Sequence, residues 1–343
     1  MVVHYIGADV HSNNTELAIE RKGQIIERYA VPTSIRAIRQ VLDQIPSPKY
    51  LAFEEGPLAG WLSRNLKDHV DGLVASDPRR NKWIASDGDK DDRIDAAKLV
   101  ALLRGGYLRP VYHSDDLQRL WLKRWVALYH DRVRAATRAI NKIRALARLE
   151  GQRVPRGALR DVATRQSWLD TLDHDLAEAL GLLWRGYDRH RTEVRLAKRQ
   201  MTRRGRAFPI IAYWQALPGV GPIRSATLFA YLDTPWRFQK KSQLCKYCGV
   251  GLQRSSSGQD RRGRDRPARL ELFRQVNRRL KDAVMGMTMS AIRSRANVFR
   301  DHYEERIRHG ALASNARHAT ARKLLTVMWG MWKSQRPFDA AWC

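Results

Sequence analysis

Val3-His4-Tyr5-Ile6-Gly7-Ala8-Asp9 is a short, mostly apolar run that ends on a carboxylate. A run of this length reads as a buried strand rather than a helix. Working outward, residues 15–21 and 24–31 read as two more strands, joined around Lys22-Gly23 as a hairpin. Thr33 or Ser34 can cap a helix that runs to about Ile45. Tyr50-Leu51-Ala52-Phe53-Glu54 is a further strand, and Gly56-Pro57 opens a helix to about Asp68. Gly72–Ser76 is a buried strand stopped by Asp77-Pro78, and a helix follows from about Asp91 to Arg104. Three strands followed by alternating helix and strand define an α/β pattern.

The charge is divided along the chain. The 343 residues carry 63 Lys+Arg against 35 Asp+Glu, a net of +28. Residues 1–100 hold 14 basic and 15 acidic groups, so the excess belongs entirely to the rest. Of the 63 cations 48 are Arg, whose planar fork pairs with phosphate and stacks on bases. Such asymmetry points to a polyanion partner, nucleic acid above all. No apolar run reaches the ~18 residues of a transmembrane helix, and no secretory signal is visible at Met1–Tyr5. Three cysteines in so long a chain argue against a disulfide scaffold and for a reducing, cytoplasmic setting.

Residues 115–200 change period. Val126, Tyr129, Val133, Ala136, Ile140, Ile143 and Ala147 alternate spacings of three and four, a heptad seam. Pro155 and Gly157 interrupt it, and Leu169, Leu172, Leu176, Ala179, Leu183, Tyr187, His190 and Val194 give a second seam. Two long helices with Arg-rich outer faces suggest a coiled-coil hairpin or dimerisation arm; an ordinary helical domain has the same periodicity. A basic helical region follows residue 205, with helices expected at about 270–296 and 315–333. The domain organisation read from these shifts is 1–112, 113–204 and 205–343.

The neutral first hundred residues carry the constellation that looks chemical. Asp9 and Glu54 close strands, and Asp92 and Asp95 share one face of a helix. Adjacent carboxylates repel unless a cation sits between them. Mg²⁺ (or Mn²⁺) takes oxygen ligands from a few carboxylates plus substrate phosphates, and paired ions can polarise a phosphodiester. These acids, in this order, follow the arrangement of the RNase H-like, RuvC-type nuclease fold. Glu55 competes with Glu54 for the inward position, since strand alternation admits only one of them.

Three features of the basic region stand out. Leu217-Pro218-Gly219-Val220-Gly221-Pro222 resembles a helix-hairpin-helix loop, in which Gly219 and Gly221 would let backbone N–H groups approach a phosphate. A tight interhelical turn is the plain alternative. Ser255-Ser256-Ser257-Gly258 is flanked by Arg254, Arg261, Arg262, Arg264 and Arg266. A serine beside arginines can attack a phosphodiester, and a polar loop touching phosphates would look the same. Cys245 and Cys248 form a C-x-x-C with no second pair to complete a zinc site, so they read as two buried thiols.

The set His4-Tyr5-Ile6-Gly7-Ala8-Asp9, Glu54 and Asp92-Arg93-Ile94-Asp95-Ala96 resembles the DEDD transposases, the insertion-sequence-one-ten group related to the Piv and MooV invertases. Leu217–Gly221, the Gly249–Gly258 stretch and Arg322-Lys323-Leu324 resemble that family's C-terminal part. The resemblance implies a RuvC-like catalytic domain, a coiled-coil segment and a mostly α-helical C-terminal transposase domain. It implies that Asp9, Glu54, Asp92 and Asp95 hold Mg²⁺ and that Ser257 forms a phosphoserine link with DNA. It also implies a structured bridge RNA that pairs with donor and target duplex DNA, and a homodimer or homotetramer with composite sites. The family's Glu-Ala-Thr-Gly is here Glu54-Glu55-Gly56-Pro57, and counting to Asp77-Pro78 favours Glu54. Ser255 and Ser256 compete with Ser257 for the nucleophile's place. Two other readings are a RuvC-like endonuclease that uses metal-activated water, and a non-catalytic nucleic-acid-binding remnant. A proofreading-type exonuclease fits poorly, because His11 stands where its second acid belongs.

Overall fold

A computed structural model of the chain describes residues 2–78, 92–255, 269–273 and 275–339. They form two compact units, residues 1–115 and 116–343.

Unit 1 is a mixed five-stranded sheet covered on both faces. Its strands are β1 (His4–Val10), β2 (Asn14–Arg21), β3 (Gln24–Pro32), β4 (Lys49–Glu54) and β5 (Gly72–Ser76), in the order β3-β2-β1-β4-β5. β1, β2 and β3 are an antiparallel meander, whereas β4 pairs parallel to β1 and β5 parallel to β4. Strand alternation sorts the side chains. Ile6, Ala8, Leu17, Ile19, Leu51 and Phe53 face α1 (Ile35–Leu42) and α2 (Ala59–Leu66) in one core. Ser34 starts α1 by accepting from the Ala37 N–H at 3.2 Å.

The opposite face takes α3 (Asp92–Arg104), which packs Ala96, Leu99 and Val100 against Ala18 and Ala52. Gly7 makes the contact possible: a Cβ there would stand 2.2 Å from the Ala96 carbonyl oxygen and 2.9 Å from Val100. At its other end α3 holds Glu20 of β2 through Arg104, 3.4 Å apart. Glu20 pairs with Tyr5 near the start of β1. The helix therefore runs opposite to β1, and its first turn lies toward the strand's C-terminal end.

Unit 2 is mostly helical. α4 (Leu117–Leu149) and α6 (His174–Gly205) form an antiparallel hairpin, with short α5 (Val162–Leu169) near its tip. Asp116, Asp161 and Asp173 cap the three helices with their carboxylates. Gly151, at φ +66°, follows the end of α4. The hairpin carries two cores: Ile143, Ala147, Leu169, Leu180, Trp184 and Tyr187 at the tip, and Leu122, Val126 and Met201 at the base. The base core continues into α7 (Pro209–Gln215), α8 (Pro222–Leu232), α9 (Lys241–Tyr247), α10 (Arg278–Arg293), α11 (Val298–Arg308) and α12 (Ala313–Ser334).

Two local expectations are corrected. The second seam departs from the heptad count at two positions: Leu180 and Trp184 are buried, while Ala179 is exposed and Leu183 half-buried, because Trp184 fills the tip core; Tyr187 is buried as expected. Leu169 ends α5 and Leu172 precedes α6, so neither belongs to the second long helix. The helix expected from about residue 270 begins at Arg278. Leu270 and Leu272 instead pair with Arg254 and Leu252 in a ribbon of β6 (Leu252–Ser255) and β7 (Arg269–Leu272). Asn277 then starts α10 by accepting from the N–H groups of Arg279 and Leu280. No helix among the described residues is long and apolar enough to cross a membrane.

Candidate active site

The parallel ladder between β1 and β4 ends at Ala8 and Phe53, so the next residues, Asp9, one before the end of β1, and Glu54, the last of β4, lie at one level on neighbouring strands. Both alternate away from the α1/α2 core and so lie on the face that α3 covers. Open α/β sheets place ligand sites beyond the carboxyl ends of parallel strands, and this is that edge. Asp9 is largely shielded, with 22% side-chain exposure, and its Oδ2 lies 3.2 Å from His11 Nε2.

β2 supplies a third carboxylate that the sequence reading overlooked. Glu16 pairs with Asp9 across the antiparallel ladder and lies on the same face. Its Oε1 accepts from the Asn14 side chain at 3.1 Å. Across β2, β1 and β4 the row reads Glu16, Asp9, Glu54, and it continues to buried Ser76 on β5. The sequence held a signal for Glu16. Once residues 3–9 and 15–21 form a hairpin, closed by the His11 N–H to Asn14 carbonyl bond, register opposes Asp9 to Glu16.

Glu55 is engaged elsewhere. Its Oε2 lies 2.7 Å from His113 Nε2, and its N–H donates to the Ser76 carbonyl. Alternation sets it against the Glu54 face.

α3 brings its first turn toward the same edge. Asp92 is the helix's first residue and Asp95 precedes the anchoring Ala96. Four residues of helix advance about 6 Å, and two residues of strand about 6.6 Å. The start of α3, four residues before Ala96, thus falls level with Asp9, two residues beyond Gly7. The side chain of Asp92 is outside the described residues. Asp95 is exposed, and its Oδ1 lies 3.8 Å from Lys98 Nζ. Among the described residues no three His, Cys, Asp or Glu side chains lie close enough to hold a metal ion. The carboxylates of this edge are oxygen donors of the kind hard cations take, and the His11 imidazole beside Asp9 adds a nitrogen.

The residues expected to contact nucleic acid belong to unit 2. Gly219, at φ +77°, is pressed onto α10: a Cβ would meet the Ala291 nitrogen at 2.3 Å. Packing and backbone conformation together account for its glycine. Gly221 faces open space and opens α8 with no side-chain cap. Arg254 is exposed on β6, and the backbone of Ser255 ends that strand. Ser256, Ser257, Arg261, Arg262, Arg264 and Arg266 lie outside the described residues, between β6 and β7. Cys245 and Cys248 are free and buried, and burial pushes both thiols up, that of Cys248 well above its usual value. Neither is a poised nucleophile.

Arg322 is half-buried and donates to the Val250 carbonyl at 3.0 Å, tying α12 to the segment before β6. Burial lowers its pKa.

A sheet edge of carboxylates thus lies on one unit, and a basic helical unit follows it in sequence. Residues 213–304, from within α7 to within α11, match the Transposase IS116/IS110/IS902 family. The matched segment contains the Gly219 turn, α8, the C-x-x-C helix and both strands of the ribbon. No curated protein matches the chain.

Proposed function

We propose that the chain is the transposase of an insertion sequence, a DNA recombinase whose unit 1 is an RNase H-like, RuvC-like catalytic domain. The observation that carries this reading is that Asp9 and Glu54 each follow the last ladder pair, Ala8 and Phe53, on adjacent parallel strands of a β3-β2-β1-β4-β5 sheet, in a chain whose residues 213–304 match a transposase family. Asp9 and Glu54, with Asp92 and Asp95 from α3, would hold Mg²⁺ or Mn²⁺. Like charges on neighbouring strands repel, so the row Glu16-Asp9-Glu54 favours a bound cation. The metal's chemistry is to neutralise the phosphodiester and the charge that develops on its oxygens.

The chain's own groups supply the rest. Ser257 Oγ attacks the phosphorus, one deoxyribose oxygen leaves with a proton, and a phosphoserine bond conserves the phosphodiester energy for rejoining. The arginines flanking the serine steady the added charge. Sequence reading is delegated to a structured bridge RNA that pairs with donor and target DNA, while the protein grips backbone. Oligomers join the acids of one protomer to the serine of another.

The test is adduct formation. Full-length protein with Mg²⁺, its element's DNA ends and the adjoining non-coding transcript should yield a protein–DNA adduct that survives denaturation. Ser257→Ala should abolish it, and Asp9→Asn should reduce it to background. An adduct with Ser257→Ala would remove that serine from the role. Cleavage with no adduct at all would turn the reading into a water-using nuclease.

A further inference from the structure

The second half of α6 carries a run of cations that make no ion pair with a carboxylate among the described residues. After Glu193 the helix has no acidic residue, yet it holds Arg195, Lys198, Arg199, Arg203 and Arg204, with Arg206 as its C-cap. The preceding stretch differs. There Glu193 meets Arg132 and Arg189, and Asp188 meets Arg165. Arg195, Lys198, Arg199, Arg203 and Arg206 are exposed and line one open groove of about 790 Å³ with Thr192 and Thr202. Among the described residues, those around this groove all come from α6 or its cap, and none is acidic or aromatic. Arg195 donates to Thr192 and Arg203 to Gln200 within the helix, contacts that leave both charges in place.

Like charges one turn apart destabilise a helix. The helix dipole favours the last of these cations but fades within one turn, so it does not account for Arg195, Lys198 and Arg199.

Lys198 also lines a second cavity, of about 560 Å³, in the same unit. Its wall includes Gly221, Pro222, Ile223 and Arg224, the uncapped start of α8, with Arg279 and one carboxylate, Asp282. Arg224 is held by Ser290 Oγ at 2.9 Å, so its guanidinium is fixed in position. The stripe on α6 thus leads into a helix start whose N–H groups favour an anion.

We propose that this stripe and the cavity at the start of α8 are a docking track for the phosphate backbone of duplex DNA, outside the carboxylate edge and the serine segment. The choice of DNA rests on the transposase reading, because α8 belongs to the matched segment. From Arg195 to Arg206 the helix advances about 16 Å. One strand of B-form DNA presents a phosphate about every 3.4 Å of axis, so about five phosphates span that length. Five exposed cations face them. Among the described residues the stripe offers no aromatic platform for unstacked bases, and the half-buried Tyr129 and His130 in the cavity wall do not make the exposed row of platforms that single-strand binders use.

The experiment uses the full chain and a fluorescein-labelled mixed-sequence DNA duplex of about 30 base pairs, read by anisotropy across salt concentrations. The triple variant R195Q/R199Q/R203Q should bind at least about tenfold more weakly and shallow the log–log salt slope by about 2.7, three contacts at about 0.9 each. R138Q/R144Q/R148Q removes the same charge from α4 and should leave the slope unchanged. Circular dichroism checks that both variants fold. Equal loss in both triples, or none in the α6 triple while wild type binds steeply, overturns the track and leaves the transposase reading standing. Tighter wild-type binding to an RNA duplex, lost in the α6 triple, overturns DNA as the occupant. A wild-type chain that ignores duplex DNA at every salt concentration overturns both readings.

Discussion

Gly7 and Ala96 meet so closely that a Cβ on Gly7 would stand 2.2 Å from the Ala96 carbonyl oxygen. This contact sets the height of α3 on the sheet and therefore of Asp92 and Asp95 relative to Asp9. Gly7→Ala must push the helix outward, because the obstacle is backbone. Overpacking of this kind costs about 1–3 kcal/mol. Thermal unfolding should show that loss, and Mg²⁺-dependent adduct formation should fall by a larger factor than stability explains. An unchanged reaction in Gly7→Ala would show that α3 carries no essential ligand.

Glu54 and Glu55 should separate cleanly. Glu54→Gln removes a carboxylate from the edge beside Asp9 and should slow DNA cleavage by about 10²–10³-fold, the loss of several kcal/mol of charge stabilisation. Glu55→Gln keeps a partner for His113 and should retain activity within about threefold. Cleavage rates at saturating Mg²⁺ decide it; the reverse ranking would move the ligand to Glu55.

His130 makes unit 2 sensitive to acid. Burial between α4, α8 and α10 lowers its pKa, and nearby Arg279 and Arg134 lower it further, against a smaller opposing pull from Asp282. Its Nε2 lies 3.1 Å from Thr227 Oγ1. A histidine with a depressed folded pKa takes its proton more readily in the unfolded chain, so stability is full above the ordinary value of about 6.5 and declines as pH falls below it. His302, lowered mainly by burial, adds in the same direction. Melting temperatures from pH 8 to pH 5 should fall, and His130→Gln should flatten the decline. A steeper decline in the variant would reverse the assignment.

Arg165 holds the hairpin tip. It is nearly buried, donates to Asp188 Oδ2 at 2.5 Å and lies 4.4 Å over the Trp184 ring. Arg165→Ala should lose about 1–3 kcal/mol from the charged hydrogen bond and the ring contact. Denaturant titration followed by tryptophan fluorescence measures it. Asp188→Asn should cost less, because Asp188 is half exposed.

Much of unit 1 was legible in the chain because strand alternation and turn residues are local signals. The strands that carry Asp9 and Glu54 near their ends stop where the apolar runs end, within a residue or two of their expected bounds. Other features were illegible for physical reasons. The seam on α6 depends on which large side chain fills the tip, and Trp184 takes the place a heptad count gives to Leu183. Leu270 and Leu272 suit a helix as well as a strand, and only pairing with Leu252 and Arg254 selects the strand. That Gly219 is pressed onto α10 was illegible as well, because its neighbours along the chain do not show which helix packs against it.

The sequence by itself determined the α/β beginning, the helical remainder, the order of the carboxylates and the division of charge between a neutral start and a basic rest. Periodicity, punctuation and composition are local, so the chain displays them directly. The tertiary structure alone decided that Glu16 lies beside Asp9, that Glu54 rather than Glu55 shares its face, and that the cations after Glu193 gather around one groove with no carboxylate among its described lining residues. Those facts follow from register and helix packing, which bring together residues that nothing in their neighbours along the chain relates.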